Sequence, residues 1–207
     1  MPIFITFEGV EGSGKTTQAK RLAEWIREDL AKTVLLTREP GGTEVTKEIR
    51  ALLADPQARL DARAELLLFL ADRAQHVATV VRPALERGEV VICDRYTDST
   101  IAYQSYGRGH DYGLLRELND WASRQLTPDL TLWIDVDVET GLRRAVKRTG
   151  GPGDRFESEP IDYHQRVRRG FAEQCQRFPQ RIVRIDGNHD EDAVFESVRQ
   201  AAQGRLQ

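Results

Sequence analysis

The sequence predicts an α/β domain with roughly five parallel strands flanked by helices. Three observations lead there. Short apolar runs alternate with longer amphipathic stretches, the pattern of strand–helix–strand units. The runs show little internal polar alternation, as expected when helices cover both faces of a sheet. No internal repeat or long linker interrupts the series, and 207 residues suit a single domain spanning 1–207.

Taken in order, the first run is Ile3–Glu8, followed by a helical stretch over Lys15–Asp29 with Ala19, Leu22, Ala23 and Ile26 at helical spacing. Val34–Arg38 is the second strand, and Val45–Ala54 and Arg63–Arg87 are the helices after it. Val90–Asp94 is the third strand, with a helix over Gly113–Leu126 following. Leu130–Asp135 and Ile182–Asp186 complete the strands; Glu139–Arg148, Asp162–Phe178 and Glu191–Gly204 complete the helices. Right-handed crossovers are expected between parallel strands. The stretch Thr149-Gly150-Gly151-Pro152-Gly153-Asp154 cannot continue a helix, because glycine costs about 1 kcal/mol and proline about 3 kcal/mol in a helix interior. Arg143, Arg144, Lys147, Arg148 and Arg155 flank it, which makes a cationic loop over approximately 143–157 and a candidate lid.

Bulk properties narrow the function. Hydrophobic residues make up 40%, charged residues 30%, and the formal net charge is −3, which argues against a general nucleic-acid binder. Only Cys93 and Cys175 occur, so a disulfide framework is not expected and a reducing cytoplasm fits. Met1–Glu8 lacks the basic start of a signal peptide, and no apolar run approaches the ~20 residues of a membrane span. His76, His110, His164 and His189 lack metal-ligand spacing, so no zinc site is expected.

Gly9-Val10-Glu11-Gly12-Ser13-Gly14-Lys15-Thr16 matches the G-x-x-x-x-G-K-[ST] phosphate-binding loop, with a strand before it and a helix after. Glycines let backbone N–H groups turn toward phosphate oxygens, and the helix N-terminus adds partial positive charge. Lys15 is placed to reach the β- and γ-phosphates, and Thr16 to offer a hydroxyl to Mg²⁺. Asp94, at the end of an apolar strand, is a second metal candidate, directly or through water; the bland reading is a helix cap. The D-x-x-G and N-K-x-D strings of a GTPase switch are missing. Arg38, Arg50, Arg73 and Arg95 offer charge for an anionic acceptor, and Arg38 and Arg95 end strands, where open α/β sheets bind ligands.

Three segments then make the sequence resemble the thymidylate kinase family: Phe7–Thr17 around the loop, Thr37-Arg38-Glu39-Pro40-Gly41-Gly42-Thr43, and Asp94-Arg95-Tyr96-Thr97-Asp98-Ser99-Thr100-Ile101-Ala102-Tyr103-Gln104. Pro128-Asp129-Leu130-Thr131 fits as well. The resemblance covers essentially the whole chain. It implies a P-loop NTPase fold of the nucleoside monophosphate kinase type with a short lid. It implies transfer of the γ-phosphate of ATP, with Mg²⁺, to thymidine monophosphate (dTMP), giving dTDP and ADP for dTTP biosynthesis, and a homodimer. ATP would lie on Gly9 to Thr17. Phe69 would stack on thymine, with Arg73 at i+4 bonding a ring carbonyl. Arg38 and Arg95 would hold the acceptor phosphate, with Arg50 nearby. Glu11 would meet the 3′-hydroxyl, Tyr103 would crowd the 2′ position, and Thr100 and Gln104 would bond the base.

Gly12 stands where some family members carry an arginine, so the sequence resembles the bacterial type with its catalytic arginine in the lid. Arg148 and Arg155 are the candidates and Arg144 stays open; with Lys15 and Arg95 they form the expected catalytic set. The acceptor is already an anion, so positioning and charge neutralisation would suffice. Another nucleotide or nucleoside kinase is the alternative enzyme; a nucleotide-binding switch or assembly ATPase is the rival from another class. Leu114, Leu115, Leu118, Trp121 and Ala122 on Gly113–Leu126 read as core or as an oligomer surface.

Overall fold

In the computed structural model of the chain, residues 2–149 and 153–206 are described, the side chains of 148 and 149 excepted. Five strands, β1 (Ile3–Glu8), β2 (Val34–Arg38), β3 (Val90–Asp94), β4 (Leu130–Asp135) and β5 (Ile182–Asp186), form one parallel sheet in the order β2-β3-β1-β4-β5. Their ends fall where the apolar runs begin and stop. β1, β3 and β4 are buried throughout, which is why their sequences are apolar without alternation.

The helices are α1 (Lys15–Asp29), α2 (Glu44–Ala54), α3 (Ala62–His76), α4 (Arg82–Glu86), α5 (Thr97–Thr100), α6 (Tyr112–Ser123), α7 (Val138–Thr149), α8 (Ile161–Arg177) and α9 (Glu191–Leu206). On one sheet face Ile5 and Phe7 meet Leu22 and Ile26 of α1 and Val198 and Ala202 of α9. Each such fully buried leucine or isoleucine is worth ~1.5–3 kcal/mol of transfer free energy. On the other face Phe4, Val91 and Cys93 meet Val77, Val81 and Tyr96. Thr6 and Thr131, the polar residues inside β1 and β4, satisfy each other at 2.8 Å.

Three details differ from the sequence reading. The stretch read as one helix over Arg63–Arg87 is α3 and α4 joined by a π-helical turn at Val77–Val81. A helical segment over residues 97–107, α5 plus a π turn at Ile101–Gly107, was not expected. The helix expected to run to Leu126 ends at Ser123, because Arg124 and Gln125 adopt left-handed φ values of 51° and 59°. Among the described residues no helix is long and apolar enough to cross a membrane.

Because the sheet is parallel, the chain turns after β1, β2 and β3 at one edge. Phe7 and Arg38 both align with Asp94 there. That edge carries the loop after β1, the Arg38–Thr43 turn and the Arg95–Gln104 segment.

Candidate active site

The loop after β1 winds around the start of α1. Gly12 (φ 65°) and Gly14 (φ 90°) hold left-handed conformations that an L side chain resists. Gly12 has a second reason to be glycine: an added Cβ would lie 1.9 Å from the carbonyl oxygen of Gly141 in α7. Lys15, at the first position of α1, is buried and donates to the Val10 carbonyl at 3.0 Å. Burial, then the charge of Arg95, pulls its ammonium down to about 8. Thr16 donates its hydroxyl to Asp94 Oδ2 at 2.5 Å. These two oxygen groups suit a hard cation such as Mg²⁺, which keeps several waters and needs few protein ligands. No cluster of three or more His, Cys, Asp or Glu residues is placed to hold a metal among the described residues.

Beside the loop lies a cleft of about 930 Å³, its open mouth included. Its lining includes Glu11, Gly12, Lys15, Thr16, Asp94 and Arg95 at the loop end, Arg38 and Arg50 on one wall, and Phe69, Arg73, Thr100, Tyr103 and Gln104 deeper in. The residues singled out for the acceptor share one space with Glu11, Gly12, Lys15 and Thr16 of the loop, whereas Gly9, Val10, Ser13, Gly14 and Thr17 do not line it.

Positive charge dominates the loop end. Arg38, at the exposed end of β2, has no ion-pair or hydrogen-bond partner among the described residues. Among the described residues Arg50 donates only to the Pro40 carbonyl, at 3.0 Å, and burial together with Arg38 and Arg95 lowers its pKa. Arg95 sits in a left-handed conformation (φ 74°) that turns it from β3 toward the loop. It donates to Gly9 O, Ser99 Oγ and Glu11 Oε1 at 3.1, 3.2 and 3.1 Å, and its guanidinium lies 4.9 Å from the Tyr103 ring centre. Burial opposes the charge of Glu11, yet His164, Arg95, Lys15 and Tyr103 hold its carboxyl down to about 2. Tyr103 donates to the same Glu11 Oε1 at 2.7 Å.

The deeper end sets aromatic rings beside a tightly bonded polar cluster. Arg73 is buried; its Nε and Nη2 meet Glu39 Oε2, both at 2.9 Å, and Nη1 donates to Thr100 at 2.7 Å and Asn119 at 2.6 Å. A guanidinium has five N–H groups, so one Nη2 hydrogen remains for a ligand. Glu39 is clamped in turn by His76 at 2.8 Å, and His76 by Thr37 at 2.7 Å. Phe69 packs against Phe156, ring centres 5.9 Å apart, and both line the cavity.

The lid candidates separate. Arg155 does not line the cavity: it donates to Glu65 Oε2 at 2.6 Å and Leu53 O at 3.1 Å. Its neighbours Asp154, Phe156 and Glu157 do line it. Arg144 is tied to the Gly187 carbonyl at 3.0 Å. The Arg148 side chain lies outside the described residues.

Sequence reasoning missed several residues that build the site. Glu8 accepts from Tyr96 N at 2.8 Å and Ser99 Oγ at 2.5 Å, fixing the corner on which Arg95 stands. Glu39 and Asn119 orient Arg73, and Phe156 closes the roof. Glu8 and Glu39 lie inside the matching segments, so adjacency to known motifs was the available signal. Asn119 and Phe156 carried none, since each reaches the site only through tertiary packing.

The family model for thymidylate kinase matches residues 7–198. The chain belongs to the thymidylate kinase family. Curated thymidylate kinases agree along nearly full length: one from Solidesulfovibrio magneticus is 52% identical over 95% of this chain and 96% of its own. One from Cyanothece sp. is 48% identical over 98% and 94%. A crystal structure of thymidylate kinase from Ehrlichia chaffeensis superposes with a TM-score of 0.77 at 38% identity, covering 96% of this chain and 98% of that one. Membership of the thymidylate kinase family makes the chain a phosphotransferase of nucleotide biosynthesis with the P-loop fold and ATP as donor.

Proposed function

We propose that the cavity seats dTMP against ATP on the Gly9–Thr17 loop, and that the chain's own residues act by positioning and charge neutralisation. The observation that carries this is the gathering of Arg38, Arg50 and Arg95 next to Lys15, with neither Arg38 nor Arg50 bonded to a carboxylate among the described residues. Guanidinium groups so close repel one another, and a dianionic phosphate relieves that repulsion with bidentate bonds. Phe69 offers its ring to the thymine, and Arg73, Thr100 and Gln104 offer polar atoms to its edge. Tyr103, bonded to Glu11, narrows the sugar site.

An oxygen of the dTMP phosphate attacks the γ-phosphorus; the bond to the β,γ-bridging oxygen breaks and ADP leaves. Lys15 and Arg95 meet the charge on the transferring group. Thr16 and Asp94 would hold Mg²⁺, which would neutralise phosphate oxygens of the donor. Arg155 is occupied by Glu65, which favours Arg148 as the lid cation at the transferred group. Arg148→Ala is expected to lower kcat by about 10²-fold with a much smaller change in KM for ATP; an unchanged kcat would refute that assignment.

Exposed Trp121 and Leu114 on α6, with Leu67 on α3, support a homodimer through that face. The two free cysteines support a reducing cytoplasm. A coupled assay with ATP and a panel of nucleoside monophosphates tests the reading: dTMP is expected to be the preferred acceptor. ATP hydrolysis without any productive acceptor would overturn it.

A further inference from the structure

Glu65 lies in the first turn of α3 and is 1% exposed, yet the reaction described above gives it no task. Three side chains converge on its two oxygens. Arg155 Nη1 donates to Oε2 at 2.6 Å, Arg108 donates to Oε1 and Oε2 at 3.2 Å, and Gln104 Nε2 donates to Oε1 at 3.1 Å. Burial resists the charge, but Arg108, Gln104 and Arg155 hold the Glu65 carboxyl below the usual carboxylate range. An ionised carboxylate has no hydrogen to give. Only the nitrogen end of the Gln104 amide can therefore face it, and the amide oxygen is turned the other way. Gln104 lines the cavity, and that oxygen has no partner among the described residues. Close by, Thr100 Oγ1 accepts from Arg73, so its own hydrogen is left to donate.

We propose that Glu65 is a specificity-determining positioning residue: it locks the Gln104 amide with its oxygen toward the cavity, where that oxygen takes the ring N–H of a thymine or uracil base. This rests on the reading of the cavity as the acceptor site. The wall then offers donors from Arg73 and Thr100 beside one acceptor from Gln104. Thymine and uracil answer with a carbonyl at position 4 beside an N–H at position 3. Cytosine presents an amino group and a bare nitrogen instead, wrong at both positions, and a desolvated mismatch is heavily disfavoured.

Glu65→Gln separates this role from bulk packing. Arg155 and Arg108 both donate to the Oε2 position, whereas at Oε1 the Gln104 amide can turn over and only Arg108 Nε is left opposed, so the new NH₂ group goes to the Oε1 side, facing Gln104. Gln104 must then turn its oxygen to Glu65→Gln and its NH₂ to the cavity. Steady-state kinetics with dTMP, dUMP and dCMP read the result. The kcat/KM ratio of dTMP to dCMP is expected to fall at least about tenfold, with dCMP holding or gaining while dTMP and dUMP lose together. Arg108→Lys, which loosens the same carboxylate but leaves Gln104 bonded to it, is expected to keep the ratio. A ratio within about threefold of the parent for Glu65→Gln, or an equal loss of ratio in Arg108→Lys, overturns the proposal. If Glu65→Gln does not fold, the unmodified protein still decides by competition with N3-methyl-dTMP: binding as tight as that of dTMP refutes an acceptor oxygen at that position, and loss of at least about tenfold supports it. Failure of the parent protein to phosphorylate dTMP at all would strike the acceptor-site reading instead, and is distinguishable in the same assay.

Discussion

Burial and the field of Arg95 pull the Lys15 ammonium down, and the carboxylates of Asp94 and Glu11 work against that shift. Removing Lys15 leaves the phosphates of ATP facing backbone amides alone. Lys15→Ala and Arg95→Ala are each expected to reduce kcat by about 10²–10³-fold while far-UV circular dichroism stays that of the parent; near-parent rates would contradict the assigned roles. Glu8 makes a different prediction. Burial first, then the charge of Asp98, raises its carboxyl from 4.5 to about 8. A folded-state pKa above the unfolded one means that the folded protein holds the extra proton. The contribution of Glu8 is thus fully present below pH 4.5 and is lost as pH rises through about 8. Thermal melting is expected to weaken across that window, and Glu8→Gln to flatten the dependence; an identical pH profile in the variant would count against it. Much of the site was legible at this scale. Lys15, Thr16, Asp94 and Arg38 line the cavity and are marked by the loop motif and strand ends, whereas Arg50, Phe69, Arg73, Tyr103 and Gln104 line it too but were picked out through the family resemblance. Arg155 was one of two lid candidates, and it is bonded to Glu65, whose position in a helix 90 residues away no local pattern reveals.

α7 presses its backbone against the phosphate-binding loop. A Cβ on Gly141 would come within 2.4 Å of the Glu11 carbonyl oxygen. Neither backbone can yield without moving the loop, so Gly141→Ala is expected to cost ~1–3 kcal/mol and to raise KM for ATP. Calorimetry and ATP titration check it, and unchanged values for both would refute the contact. All five strands were readable: burial on both faces leaves β1, β3 and β4 as predominantly apolar runs, and the edge strands β2 and β5, partly exposed, still begin with short apolar runs and end on a charged residue. The segment over residues 97–107 was not. Its residues are polar and β-branched, and they face a cavity on one side and α8 on the other, so no amphipathic period survives. The early end of α6 was hidden as well, since nothing in Arg124 or Gln125 announces a left-handed backbone.

Across the whole molecule, the parallel sheet delivers three chain turns to one edge and so assembles a donor loop, a cationic wall and an apolar slot from distant segments. The opposite concern is the surface left apolar. Trp121 is 79% exposed and Leu114 is 50% exposed on the same helix. If this face joins two copies, Trp121→Glu is expected to convert a dimer to a monomer in analytical ultracentrifugation, while a dimer that survives the change would place the interface elsewhere. The central claim is that ATP and dTMP meet in the cavity at the carboxyl edge of the sheet. A crystal structure of the protein with dTMP and a non-hydrolysable ATP analogue tests it most directly. The account predicts thymine stacked on Phe69 within hydrogen-bonding reach of Arg73 and Gln104, with the acceptor phosphate between Arg38 and Arg95; dTMP bound away from those four side chains would contradict it.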